Sequence, residues 1–181
     1  MTPSCFMTKI LECVPVEKIR RIVFLSGGRI AVIPKHLCKD DNGSPVIHLF
    51  DNRMNLIALL DRNEGFDGAK LDVIELQDGR FLSYGRSYYL KLWDRSGKFI
   101  EEWNNHFFVR SVLQLSCGRI ITASAGWFLI RDKNGLELKR MKVSEYPESI
   151  DRCVELPGER FMTVTTLEHK NIWSFEGELE V

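Results

Sequence analysis

The chain has 181 residues, 44% of them hydrophobic and 28% charged, the composition of one ordinary folded domain with a core of its own. Twenty-five basic residues balance twenty-five acidic ones, and zero net charge excludes a strong global pull on nucleic acid or anionic membrane. No apolar run reaches the ~18 residues of a membrane-spanning helix.

Residues 1–17 precede any repeated pattern. Phe6, Met7, Ile10, Leu11, Val14 and Val16 make this segment apolar. Lys9 and Glu12 break it up, so it reads as no signal peptide. It reads either as a ring-closing strand or as a loose extension. From residue 18 onward, short runs of β-branched and aromatic residues alternate with Gly, Asp, Asn and Ser, the signature of strands joined by tight turns. The first unit predicts strands at 19–25, 29–33, 46–50 and 55–60, with an insertion at 35–44. The second predicts 71–76, 80–84, 88–93 and 98–103. The third predicts 111–115, 119–124, 127–131 and 136–141. The fourth predicts 153–156, 160–165, 171–173 and 178–181. No segment carries a long helical period.

One turn recurs through these units. It reads Leu25-Ser26-Gly27-Gly28-Arg29-Ile30, Leu76-Gln77-Asp78-Gly79-Arg80-Phe81, Leu115-Ser116-Cys117-Gly118-Arg119-Ile120 and Leu156-Pro157-Gly158-Glu159-Arg160-Phe161. The repeated arginines lie 51, 39 and 41 residues apart, and a period near 40 is that of propeller blades. The units span about 18–62, 69–105, 108–146 and 150–181. Each arginine opens a second strand, and Asp51, Asp94 and Asp132 close third strands. Antiparallel pairing therefore predicts cross-strand pairs Arg29–Asp51, Arg80–Asp94 and Arg119–Asp132, each worth ~0.2–1 kcal/mol. Ser174 stands at this position in the fourth unit.

The stretch Leu90-Lys91-Leu92-Trp93-Asp94-Arg95-Ser96-Gly97 resembles the end of the third strand of a WD-repeat blade. Phe50-Asp51 and Trp173-Ser174 are weaker versions, Arg131-Asp132 stands there in the third unit, and the Gly-His dipeptide of that family is missing throughout. The resemblance implies an all-β propeller of four four-stranded antiparallel blades over residues 18–181. Such blades close alone as a small ring, or form a half-ring that completes an eight-bladed propeller as a homodimer. It also implies a binding scaffold rather than a catalyst.

Chemistry-bearing motifs are scarce. His36 and Cys38 with Asp40 and Asp41 offer zinc-type ligands, but in one loop without a second spaced pair they read as a solvated insertion. Asp40 to Ser44 lacks the spacing of a calcium loop. The histidines lie in different units, and no serine or cysteine sits in a nucleophile motif. No catalytic residue, metal site or cofactor is expected. Cys5, Cys13, Cys38, Cys117 and Cys153 are odd in number and form no C-x-x-C pair. They read as reduced thiols of a cytoplasmic protein.

The loops between second and third strands are the expected binding face. They supply Tyr84, Arg86, Tyr88, Trp127, His169 and Lys170, and Arg, Tyr and Trp dominate binding hot spots. Tyr88 and Trp127 also suit a second role, packing between blades. The expected function is a non-enzymatic protein–protein interaction scaffold. The alternative is a small anion or sugar-like molecule held in the central channel; a hydrolase or lyase ranks below both. Zero net charge and the lack of a basic stripe argue against nucleic acid.

Overall fold

The computed structural model describes residues 18–35, 46–60, 71–85, 87–143 and 148–180. The N-terminal segment, the His36–Asp41 cluster and Arg86 lie outside the described residues. Among the described residues sixteen strands form four four-stranded antiparallel sheets, each a meander in chain order. The first sheet is β1 (Ile19–Phe24), β2 (Ile30–Pro34), β3 (Ile47–Phe50) and β4 (Leu56–Leu60). The second is β5 (Asp72–Glu75), β6 (Phe81–Tyr84), β7 (Tyr89–Trp93) and β8 (Phe99–Asn104). The third is β9 (Ser111–Gln114), β10 (Ile120–Ala123), β11 (Trp127–Arg131) and β12 (Glu137–Lys142). The fourth is β13 (Ile150–Leu156), β14 (Arg160–Thr165), β15 (Lys170–Ser174) and β16 (Leu179–Glu180). No helix among the described residues is long and apolar enough to cross a membrane.

The four expected four-stranded meanders are present, and nearly all strand ends fall within a residue or so of expectation. The exception is β13, which starts at Ile150 rather than Cys153. Ile150 is fully buried, and its amide donates to the Ser124 carbonyl. A bulge between Ile150 and Arg152 carries the pairing with β14 that far.

The chain divides into two compact units, residues 1–86 with 91–102, and residues 87–90 with 103–181. In the first unit Ala31, Ile33, Ile47, Leu49 and Leu60 pack with Leu71, Val73, Phe81 and Trp93. In the second, Ile121, Ala123, Phe128 and Ile130 pack with Ile150, Phe161, Trp173 and Phe175. The middle strands β2, β6 and β10 are buried along their whole length. Burial on both faces explains why they read as near-continuous apolar runs, interrupted by Ser83 in β6 and Thr122 in β10, rather than alternating ones.

The same link joins neighbouring sheets within each unit. In the first, the Ser26 amide donates to Glu75 Oε2 at 2.5 Å, and Arg29 bonds Glu75 and the Arg95 carbonyl. In the second, the Ser116 amide donates to both Glu155 oxygens at 3.0 and 3.1 Å, and Arg119 bonds the Phe175 carbonyl.

These contacts give Arg29 and Arg119 partners other than the expected aspartates. The register is as expected: Ile30 faces Phe50, Phe81 faces Trp93 and Ile120 faces Arg131, so Arg29, Arg80 and Arg119 come level with Asp51, Asp94 and Asp132. Arg29 and Arg119 bond other carboxylates, and Arg80 bonds Asp78. Arg29 pairs with Glu75 at 2.6 Å, Arg80 with Asp78 at 2.7 Å and Arg119 with Glu176 at 2.9 Å. Each aspartate turns into its own hairpin. Asp51 Oδ1 accepts the Arg53 and Asn55 amides, Asp94 Oδ1 those of Ser96 and Lys98, and Asp132 Oδ1 those of Asn134 and Leu136. Two nearby amides hold a carboxylate better than one solvated guanidinium across a strand. The Asn55 amide and side chain accordingly keep Asp51 below the usual carboxylate range, and the Ser96 hydroxyl and Lys98 amide do the same for Asp94.

The same hairpins seat the sheets. The turn glycines Gly97 and Gly177 approach Ala58 and Ile130 so closely that a Cβ would lie 2.3 and 2.7 Å away. At Gly135, φ is +88° and a Cβ would lie 2.2 Å from the Trp103 ring. Gly27 also has a positive φ, +67°, but open space where a Cβ would go. Gly27→Ala is expected to cost about 1 kcal/mol from backbone strain alone. Gly135→Ala adds the ring clash and is expected to cost roughly twice that or more. Urea unfolding of the two variants checks it; equal midpoints would show that the close approach carries no weight.

Candidate functional site

The second unit carries an exposed aromatic ledge. It is built on the turn that follows β8, Asn104 to Val109. The Asn104 side chain accepts the His106 amide at 2.8 Å, and His106 takes a left-handed φ of 62°, a conformation histidine adopts more readily than most residues. This reversal turns Phe107 and Phe108 into the neighbourhood of the flanking strands. Phe107 stacks on Trp127 with ring centres 5.6 Å apart and planes 14° from parallel. Phe108 stacks on Tyr88 at 4.5 Å. The Arg140 guanidinium lies 5.8 Å from the Phe107 ring centre, and Lys142 Nζ lies 5.9 Å from that of Trp127. Glu137 bonds Arg140 at 2.9 Å and approaches His106 Nε2 at 3.4 Å.

The turn is fixed from beneath by Asn105, which is completely buried. Its amide donates to the Tyr88 carbonyl at 2.6 Å and its Nδ2 to the Phe107 carbonyl at 3.3 Å. Its Oδ1 accepts the Thr122 hydroxyl at 2.5 Å and Arg131 Nη2 at 3.4 Å. Further bonds clamp both sides. Arg131 Nη2 donates to the Asn104 carbonyl, the Ser124 hydroxyl to the Phe108 carbonyl, the Val109 amide to the Ser87 carbonyl and the Arg110 amide to the Ala123 carbonyl. Burial pushes the Arg131 guanidinium below its ordinary pKa, with Glu137 acting against that shift. Arg131 Nε is buried and has no hydrogen-bond partner.

The predicted site residues divide. Tyr88, 48% exposed, and the half-buried Trp127 both join the ledge, through consecutive phenylalanines. Trp127 thus packs and lines the surface at once. Tyr84 is buried at the end of β6. His169 and Lys170 are exposed at the fourth sheet, where His169 Nδ1 meets Glu148 Oε1 at 2.8 Å. The Thr165 hydroxyl and the His169 ring hold the Glu148 carboxyl below its usual range. Sequence reasoning missed Asn105, Phe107, Phe108, Arg140 and Lys142. The run Asn104-Asn105-His106-Phe107-Phe108 straddles the boundary of the second and third repeats, outside the loops expected to form the binding face.

The first unit has a cleft of about 370 Å³ lined by Ser26, Arg29, Glu75, Gln77, Gly79 and Arg95 among others. Its charges are engaged with one another: Arg29 bonds Ser26, Glu75 and the Arg95 carbonyl, and Arg95 bonds the Asp78 carbonyl. Burial raises the Cys153 thiol to about 12, which keeps it protonated and unreactive near neutral pH. Among the described residues no group of three or more His, Cys, Asp or Glu side chains is placed to hold a metal ion. The ledge itself sets stacked aromatic rings beside flanking charges. The chain matches no protein-family model and no curated protein.

Asn105→Ala removes the acceptor for Thr122 and the donor for the Phe107 carbonyl. It is expected to cost about 1–3 kcal/mol and to speed amide hydrogen exchange at residues 106–108 above that of the strands. Unchanged exchange at those three residues would show that Asn105 does not hold the turn.

Proposed function

We propose that the chain is a non-enzymatic protein-binding scaffold and that the Tyr88–Phe108 and Phe107–Trp127 ledge is its contact surface. The four meander sheets are read here as propeller blades, closing alone or as paired half-rings of a homodimer. The observation that carries the proposal is the combination of exposure and rigidity. Tyr88 and Phe108 are 48% and 47% exposed, yet the turn beneath them is hydrogen-bonded on every side. Exposed aromatic rings on an already ordered backbone lose little entropy on binding, which is what hot-spot residues need.

A double variant, Tyr88→Ala with Phe108→Ala, tests it. The melting temperature is expected to stay near wild type, because the rings are half in water. Recovery of bound protein on the immobilised variant is expected to fall about 30-fold, the effect of losing ~2 kcal/mol at a hot spot. Phe24→Ala, which truncates a 77% exposed ring in the other unit, serves as control. Equal recovery on all three surfaces would remove the ledge from consideration.

One observation favours a second reading, a small anionic or sugar-like ligand. The first-unit cleft brings two arginines together with hydroxyl and amide groups, and in this reading the ligand sits there rather than in a central channel. Citrate, phosphate and simple sugars, screened by thermal shift, give the test. A ligand that binds only the folded state raises the melting temperature, and Arg95→Ala should abolish the rise. No shift with any of these would count against it.

A further inference from the structure

We infer that Asn134 is a site of spontaneous covalent modification, and that its isoaspartate product loosens the turn that carries the ledge. Asn134 and Gly135 lie at the tip of the β11–β12 hairpin and are the one Asn-Gly pair among the described residues. Glycine has no Cβ, so its amide nitrogen is open to the side chain before it. That nitrogen attacks Asn134 Cγ. The N–Cγ bond forms, the Gly135 amide proton passes to solvent, and the carboxamide nitrogen takes up a proton and leaves as ammonia. Water then opens the cyclic imide at one carbonyl or the other, giving aspartate or isoaspartate. Water is the only co-reactant, and nothing is oxidised or reduced.

The structure leaves the reacting side chain free. Asn134 is exposed, and its carboxamide has no hydrogen-bond partner among the described residues. The Gly135 amide donates to the Asp132 carbonyl at 3.1 Å. That bond must open first, so the folded chain reacts through local openings of the hairpin tip, more slowly than the unfolded chain. Asp78-Gly79, in the β5–β6 turn, is open to the same attack by sequence, but there the side chain is held. Asp78 Oδ1 accepts the Arg80 amide at 3.0 Å, and Oδ2 accepts Arg80 Nε at 2.7 Å. Two contacts carry the change at Asn134 to the ledge. An isoaspartate adds a methylene group to the main chain directly before Gly135. Gly135 is buried so close to the Trp103 ring that there is no room even for a Cβ, and its carbonyl accepts Arg131 Nη1 at 2.9 Å. The same guanidinium holds the Asn104 carbonyl and Asn105 Oδ1. A displaced Gly135 therefore frees Arg131 from the segment that leads into Phe107 and Phe108.

Warm incubation of the intact chain in mildly alkaline buffer, followed by pepsin digestion and mass spectrometry, tests this. The peptide holding Asn134 is expected to gain the mass of an amide-to-acid conversion, faster as pH rises, because the nitrogen attacks once it has lost its proton. The peptide holding Asp78 is expected to yield no isomer separable by chromatography. Asn134→Gln, whose longer side chain closes the ring poorly, is expected to abolish the gain. In hydrogen exchange, aged wild type is expected to lose protection at residues 106–108. Equally aged Asn134→Gln and fresh Asn134→Asp are expected to keep it, the latter carrying the new charge without the added methylene. A folded chain unchanged at Asn134 while the urea-unfolded chain converts would overturn the site. Aged protein that contains isoaspartate yet keeps full protection at 106–108, or fresh Asn134→Asp that loses it equally, would overturn the link to the ledge.

Discussion

A strand buried on both faces has no water to turn to, so every polar side chain it carries must find its partner within the protein. The middle strands of this chain live under that constraint, and they meet it in a repeated way. In the second sheet the Trp93 indole donates to the Ser83 hydroxyl at 2.8 Å. In the fourth the Trp173 indole donates to the Thr163 hydroxyl at 3.0 Å. The first sheet avoids the problem, with Val32 and Phe50 packed together at the matching positions. The third sheet breaks the pattern. Thr122 supplies the hydroxyl, but Arg131 stands where the indole would be. Its hydroxyl must be satisfied from elsewhere, and Asn105 does so. That substitution draws the turn after β8 into the buried network and so makes it rigid. The candidate site grows out of the one sheet that keeps the buried hydroxyl without an indole to pair with it.

The strands and their register were legible because two local signals agreed. The Gly-Arg turn marks where each second strand begins, and the apolar runs mark how long the middle strands are. The charge pairing was not legible, although the register was. Position in a ladder says which side chains are level, but not which donor is nearest. For Asp51, Asp94 and Asp132 the nearest donors are amides two and four residues along the same chain. For Arg29 the nearest carboxylate is Glu75, 46 residues away in sequence.

The ledge was half legible. Tyr88 and Trp127 stood out by residue type and by their place at the starts of third strands. Phe107 and Phe108 did not, because they sit at the boundary of two repeats, outside the loops between second and third strands. One signal was in view: Arg131-Asp132 in the third repeat where the second repeat has Trp93-Asp94. A charged residue at a position that is Phe or Trp in every other unit needs buried acceptors. The only asparagine pair in the sequence, Asn104-Asn105, lies one unit boundary upstream. Distance in sequence concealed that connection, and burial explains it.

The carboxylate link from Glu75 to Ser26 has its counterpart in the link from Glu155 to Ser116. Serine stands at this turn in the first and third sheets, and glutamate stands at or next to the end of the opening strand in the second and fourth. The true period of the chain is thus two sheets, with odd and even members playing donor and acceptor. In a repeat protein stability is carried by neighbour-to-neighbour interfaces, so the smallest portable piece of this chain is a pair. A single sheet excised from it would take only half of a bond.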